Sequence, residues 1–517
     1  MVWLIILLTV TILHAIVLSV FVLLEQRKPV ATLAWILILL FIPIFGAVFY
    51  YLFGRMRFER RRRLRASSLT QLDLELAELE LDMGPEGSVS RALDISSMPG
   101  ISGLFDAHFD EHDPGKAPAA PLLTPTEQKL FEQNQPLITL ARRVVDMPLV
   151  RGNHLDVLNN AEHKFDTVAE EIAKATHHIH MIYYIFRSDK TGTWIRDLLI
   201  ERAKEGVKVR VLYDWIGSLE LAQDFWKPLT DVGADCVPFL PLRFPYAWRK
   251  SQLNFRNHRK VVIVDGLVGF TGGINVGDEY RGLDPAYGYW RDSHVRIEGP
   301  AVLQLQQVFV EDWCYATGDM LVDAEYYPKT QKEVGQELVQ MIASGPDQPW
   351  YSIHLLFFLS ITSAHQKVWI TTPYFIPDDS ILTALESAAL RGVDVRLLLP
   401  GKLDMSIVLY AGRSYYKSLL RAGVRIYEYE KGLLHAKTMV VDRRCGTIGS
   451  ANMDIRSFHL NFELNAFVYS ESFAASLEES FLQDILDAKE IDLISFVQRP
   501  WSQKFAEASA RLLSPIL

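Results

Sequence analysis

Cysteine is scarce in this chain: Cys236, Cys314 and Cys445 are the three among 517 residues, far apart and without CxxC spacing. That excludes a disulfide framework and a zinc ribbon. Positive charge is also short, with 53 lysines and arginines against 62 aspartates and glutamates, a formal net charge of −9. Because the first 65 residues carry +7 of that total, residues 66–517 carry −16. A body so acidic is a poor general binder of nucleic acid, whose affinity comes mostly from neutralised phosphates. No nucleic-acid partner is expected. A secretory leader is lacking too: no positive residue precedes the first apolar run and no A-x-A-like site follows it.

Long apolar runs, by contrast, are present. Residues 2–24 and 30–53 are nearly uninterrupted, each long enough to cross a hydrocarbon core of about 30 Å at about 1.5 Å per residue. The short connector between them predicts an antiparallel, membrane-embedded hairpin, with a re-entrant form left open by Pro43. Seven arginines between Arg55 and Arg65 follow at once, which by the positive-inside rule places the body on the cytoplasmic side of the cell membrane as a multi-pass protein. The same guanidinium groups would attract anionic lipid, each contributing about 1 kcal/mol near the surface.

The most informative feature is a duplication. His258-Arg259-Lys260 runs through Val261, Val262, Ile263 and Val264 to Asp265, and His435-Ala436-Lys437 runs through Thr438, Met439, Val440 and Val441 to Asp442. In an extended segment His and Lys two residues apart project to one side, so each copy aims an imidazole and an ammonium together. Seventeen positions after each histidine comes an asparagine beside glycine, Asn275 after Gly272-Gly273 and Asn452 after Gly449-Ser450.

These residues resemble the phospholipase D superfamily, whose two HKD half-sites meet at one active centre. The similarity extends to the bacterial cardiolipin synthase family through the N-terminal hairpin, the phrase Trp290-Arg291-Asp292 with Val295 to Pro300 behind it, and Asn461-Phe462-Glu463. The resemblance implies a phosphatidyl transfer between two phosphatidylglycerols, giving cardiolipin and glycerol through a phosphohistidine, with His258 as nucleophile. It also implies an acidic residue after each motif that hydrogen-bonds and orients the histidine of that motif. Glu463, 28 positions after His435, fits that place; its counterpart by count is Ala286, so Asp292, 34 positions after His258, is the substitute if the region from Arg281 to Tyr289 is an insertion.

Phosphodiester exchange needs a nucleophile, a general acid for the departing alkoxide and donors around the nonbridging oxygens. His258, Lys260, His435 and Lys437 supply the first two and the positive field, so neither metal nor cofactor is expected. Asn275, Asn452 and Ser450 are expected to bind phosphate, Gly273 leaving one half without the hydroxyl. Asp265 and Asp442 complete the catalytic set by motif, although their place beyond the strand suits tying it to its surroundings.

Around the motifs the chain repeats strand, helix, strand: His178 to Ile185, Trp194 to Glu205 and Val207 to Tyr213, then Lys367 to Tyr374, Ser380 to Arg391 and Val393 to Leu399. This predicts an α/β fold of two homologous halves, each with a mixed, largely parallel sheet, forming one active site. The expected division is 1–54 hairpin, 55–147 basic segment and connector, 148–325 first half, and 326–517 second half with an amphipathic C-terminal segment. His177, His178 and His180 lack a nearby carboxylate and make a weak metal motif. The interleaved aromatics and bases of 242–250, and Trp501, Phe505, Ala508, Leu512 and Ile516 at near-helical spacing, suit a lipid-water interface or packing on the body. A membrane-bound phospholipase D, with water as acceptor and phosphatidic acid as product, is the nearest alternative. The oligomeric state is open, a symmetric homodimer being the commonest arrangement.

Overall fold

The computed structural model describes residues 2–24, 29–50, 123–145, 147–241, 254–321, 323–328, 334–402 and 405–514. The arginine run at 55–65, most of the 55–147 connector and the aromatic-basic segment 242–250 lie outside them.

Each half is built from the same seven strands in the same spatial order. The first runs Val150–Asn159, Ser293–Glu298, Val268–Gly272, Val261–Val264, His178–Tyr183, Lys208–Asp214, Asp235–Phe239; the second runs Glu337–Ser344, Asn461–Tyr469, Cys445–Gly449, Thr438–Val441, Lys367–Thr371, Asp394–Pro400, Arg425–Tyr429, with Ala488–Glu490 added at its edge. Val150 pairs antiparallel with Val339 and Asn153 with Glu337, so one sheet runs through both halves.

The pairing corrects the largely parallel sheet read from the sequence. Parallel ladders join only the last three of the seven strands in each half, where helices such as Lys190–Lys204 and Asp379–Leu390 provide the long crossover that parallel strands require. The motif strands pair antiparallel with their successors. Their turns are too short for anything else: Asp265 and Gly266, and Asp442 and Arg443, reverse the chain at positive φ.

Helix Pro125–Val145, in the segment read as connector, packs on the body. Its start is a capping box, in which Glu127 N–H donates to Thr124 Oγ1 at 3.3 Å and Thr124 N–H to Glu127 Oε2 at 2.7 Å. Leu130, Phe131, Leu137, Ile138 and Ala141 then pack with Leu338, Ile342 and Ile353 in the core of the second half, each large side chain contributing roughly 1.5–3 kcal/mol by burial.

At the N-terminus, helix Val2–Leu24 packs on Pro29–Phe41 and Pro43–Phe49 through Leu18, Val22, Leu39, Ala47 and Tyr50. The second apolar run is therefore two helices, not one. Ile42 leaves helical geometry and Pro43 starts a new helix, as expected where a proline ring removes a backbone donor. Thirteen residues at about 1.5 Å each reach about 20 Å, short of about 30 Å. Among the described residues no helix is long and apolar enough to cross a membrane.

Candidate active site

Two short ladders exchange chain between the halves, and each delivers one histidine. Arg256–Asn257 pairs in parallel with Asn461 and Phe462 of the second half, after which His258 N–H donates to Phe462 O at 2.9 Å. Leu433–Leu434 pairs in parallel with Trp290 and Arg291 of the first half, after which His435 N–H donates to Arg291 O at 2.7 Å. Each histidine thus enters beside the acidic residue of the other half.

The side chains complete that exchange. His258 Nδ1 lies 3.0 Å from Glu463 Oε2 and 3.1 Å from Ser450 O, while His435 Nδ1 lies 2.7 Å from Asp292 Oδ2. The sequence reading set Glu463 by its own half's His435; the structure pairs it across, and Asp292 likewise. Asp292 is nonetheless the counterpart of Glu463 by register. Gly272 pairs with His294 and Gly449 with Asn465, two residues beyond each carboxylate, and the six extra residues of the first half fall in the intervening loop.

With each Nδ1 engaged by a carboxylate, Nε2 is left for chemistry. Both imidazoles line one cavity of about 410 Å³, with Asn275, Asn452, Arg256, Arg456, Tyr184, Trp290 and Tyr374. Tyr184 meets His258 edge-on at 4.9 Å, and Trp290 and Tyr374 lie 5.4 and 6.4 Å from His435. A larger groove of about 890 Å³ contains neither histidine.

Electrostatics follow from burial. Burial drives His258 below its ordinary value against the pull of Glu463, and drives His435 down to about 4 against Asp292, with lysine charge adding to the effect. Burial would raise both carboxylates, but Lys437 and His435 hold Asp292 low, and His258 and Lys260 hold Glu463 low. The cavity therefore holds two carboxylates and two neutral imidazoles at neutral pH. Lys260 and Lys437 lie buried behind the histidines, each ammonium donating to the carbonyl of its own histidine, Lys260 at 2.6 Å. Burial lowers both, Lys437 to about 8.

Ser450 departs from its expected place. Ser450 Oγ donates to Glu463 Oε2 at 2.6 Å and is fully buried; it braces the carboxylate rather than facing phosphate. Its counterpart is glycine for a steric reason, since a Cβ on Gly273 would lie 2.1 Å from Asp292 Oδ1. Asp265 and Asp442 stand at the far ends of the motif strands, where Asp265 accepts from the N–H groups of Thr176, His177 and His178, and Asp442 from those of His365, Gln366 and Lys367. They tie strands together and do not reach the cavity.

Asn275 lines the cavity with its amide already engaged, accepting from Ile185 N–H and donating to Tyr280 Oη, both at 3.2 Å, whereas Asn452 Oδ1 is buried with no hydrogen-bond partner. The histidines 177, 178 and 180 cluster with Tyr326, Gln306 and Glu325, and no group able to hold a metal ion occurs among the described residues. Tyr184, Tyr374, Arg256 and Arg456 were not picked out from the sequence. The signal for the tyrosines was there, since each follows the first strand of the repeated unit.

Comparison with known proteins agrees with this geometry. Residues 168–313 and 358–485 match the family described as cardiolipin synthase, PLD-like domain, and residues 14–55 match the phospholipase D-nuclease N-terminal family. A cardiolipin synthase of Geobacillus sp. (strain WCH70) is 44% identical, with 96% of this chain and 90% of that protein covered. Cardiolipin synthase 2 of Bacillus anthracis is 42% identical over 96% of this chain and 88% of its own. Among solved structures, phosphatidylserine synthase of Haemophilus influenzae Rd KW20 shares the fold at a TM-score of 0.57 and 16% identity, covering 75% of this chain and all of that one. Two half-sites, crossed at one cavity and carried on a sequence this close to its relatives, place the chain in the cardiolipin synthase family of phospholipase D-like phosphatidyltransferases, which is membrane-associated and acts on phospholipids.

Proposed function

We propose that the cavity moves a phosphatidyl group from one phosphatidylglycerol to another. The observation that carries this reading is the single cavity lined by both imidazoles, each braced by a carboxylate of the opposite half. Nε2 of His258 attacks phosphorus, the bond from phosphorus to the glycerol oxygen breaks, and protonated His435 gives its proton to that oxygen. His435 then takes the proton from a headgroup hydroxyl of the second lipid, whose oxygen attacks phosphorus; the P–N bond breaks and cardiolipin leaves. The entering phosphodiester adds negative charge beside imidazoles that burial keeps neutral, raising their proton affinity as the acid is needed. Lys260 and Lys437 supply positive field from behind.

Membrane attachment belongs to the same proposal. The kinked hairpin exposes Leu24, Phe41, Ile44 and Phe45 and suits insertion in the bilayer in re-entrant form, with the body on the cytoplasmic side. Helix Trp501–Arg511 turns Glu507 and Ala510 toward the body and leaves Trp501, stacked on Phe505 at 5.1 Å, exposed with Leu512, as an interfacial helix would.

Purified protein in detergent, given phosphatidylglycerol alone, is expected to yield cardiolipin and free glycerol in equal amounts. Phosphatidic acid as the sole lipid product would replace this reading with hydrolysis.

A further inference from the structure

The duplicated half-sites agree at their histidines and differ on the flanks. With His258 set on His435, the residue two before it is Arg256 in one half and Leu433 in the other; with Asn275 set on Asn452, the residue four after is Glu279 in one and Arg456 in the other. Both differences put a guanidinium on the flank of His258. Arg256 shares the strand face of His258, two residues away. Arg456 Nη2 donates to Asn254 O at 3.2 Å, which brings it beside Arg256, and both line the cavity next to Tyr184. On the other flank Glu279 is held by Arg187 at 3.3 Å, and aromatic rings surround His435.

The reacting phosphate has to lie between the two histidines, with the duplicated lysines behind them on both sides. Two arginines on one flank serve something beside that line. The carboxylates near them also serve backbone: Asp214 forms a buried ion pair with Arg256 at 3.8 Å and accepts from the N–H groups of Ile216, Gly217 and Asn257, and Asp454 caps helix Ile455–His459 through Ser457 N–H. Planar guanidinium forks match phosphate oxygens better than any other side chain. Arg256 stands roughly 7 Å from His258 along the strand at about 3.3 Å per residue, a span of the order that a glycerol bridge between two phosphates covers.

We propose that Arg256 and Arg456 form a subsite for the phosphodiester of the acceptor, so that the site selects an anionic phospholipid over water and neutral alcohols in the second step. This rests on the transferase reading above. On this account the arginines act on the acceptor and contribute little to the phosphatidyl-enzyme itself.

The test separates the two steps in full-length protein in phosphatidylglycerol-detergent micelles. Incorporation of labelled glycerol into phosphatidylglycerol reports the phosphatidyl-enzyme with a neutral acceptor, and cardiolipin formation reports the anionic one. In Arg256→Leu and Arg456→Gln the ratio of cardiolipin formed to glycerol exchanged is expected to fall about tenfold or more, with a raised KM for phosphatidylglycerol in cardiolipin formation. An unchanged ratio, with both reactions intact or both reduced alike, overturns the subsite. If Arg256→Leu does not fold, as a lost melting transition would show, Arg456→Gln decides by the same ratio. A wild-type protein that neither exchanges glycerol nor makes cardiolipin would instead remove the transferase reading on which the subsite rests.

Discussion

His258 and Glu463 come from opposite halves of the chain and lie 3.0 Å apart. Neither half therefore owns a complete catalytic dyad. Variants should group across the halves, Glu463→Gln with His258→Ala and Asp292→Asn with His435→Ala, each lowering turnover by about 100-fold or more, the scale on which positioned acid-base groups act. A phosphatidyl ester of p-nitrophenol, whose leaving group needs no acid, distinguishes the groups. One group should release a stoichiometric burst of p-nitrophenol and the other none, and with His258 as nucleophile the burst survives in Asp292→Asn and His435→Ala. Grouping of Glu463→Gln with His435→Ala would contradict the crossed geometry.

Gly273 and Ser450 predict opposite kinds of damage. A Cβ at Gly273 meets Asp292 Oδ1 at 2.1 Å, so Gly273→Ala must push the carboxylate off His435 or shift the backbone, at a cost of about 1–3 kcal/mol. Turnover should fall at least tenfold along with the melting temperature. Ser450→Ala removes one hydrogen bond to Glu463, with about 1.5–3 kcal/mol at stake for a bond to a charged group, and should leave most of the turnover in place. Equal losses in the two variants would mean that the asymmetry between the halves is incidental.

Much of this was legible in the sequence because a duplication exposes its own register. The His-Lys spacing gave both half-sites, and the equal Asn offsets gave a second pair of cavity residues. What failed was partner choice. Counting from His435 to Glu463 assumes that a residue acts within its own half, whereas the ladders Arg256–Asn257 and Leu433–Leu434 are two residues long and carry no periodic signal. Sheet direction was misjudged for a related reason: helix-strand alternation reports crossovers, and the motif hairpins have none. Ser450 was misassigned because a hydroxyl beside a phosphate motif looks the same whether it faces the ligand or the carboxylate behind it.

Asp265 and Asp442 should behave as fold residues. Each carboxylate gathers three consecutive backbone N–H groups, exposed or partly buried, and removing one such acceptor costs about 1 kcal/mol, toward the low end for donors that water can reach. Asp265→Ala is expected to lower the melting temperature and the denaturant midpoint, while the fraction that remains folded turns over at a rate close to wild type. A large fall in turnover per folded molecule, with stability untouched, would return the aspartate to the catalytic set.

The last prediction concerns alkaline pH, where activity and stability should move in opposite directions. Burial lowers Lys437 to about 8, with Asp292, Glu463 and Asp454 pulling the other way. It is charged below that value and neutral above, so the positive field behind the phosphate is lost as pH rises through about 8, and kcat/KM should fall on that limb. In the unfolded chain a lysine titrates near about 10.4. Between these values the unfolded state holds the extra proton, so this group makes folding more favourable as pH rises. The stability of wild type relative to Lys437→Met should therefore grow from about pH 8 to about pH 10 while wild-type activity declines. Lys437→Arg, which stays charged throughout, should turn over more slowly from changed geometry but lack the alkaline limb. Retention of that limb in the arginine variant would assign the titration to another group.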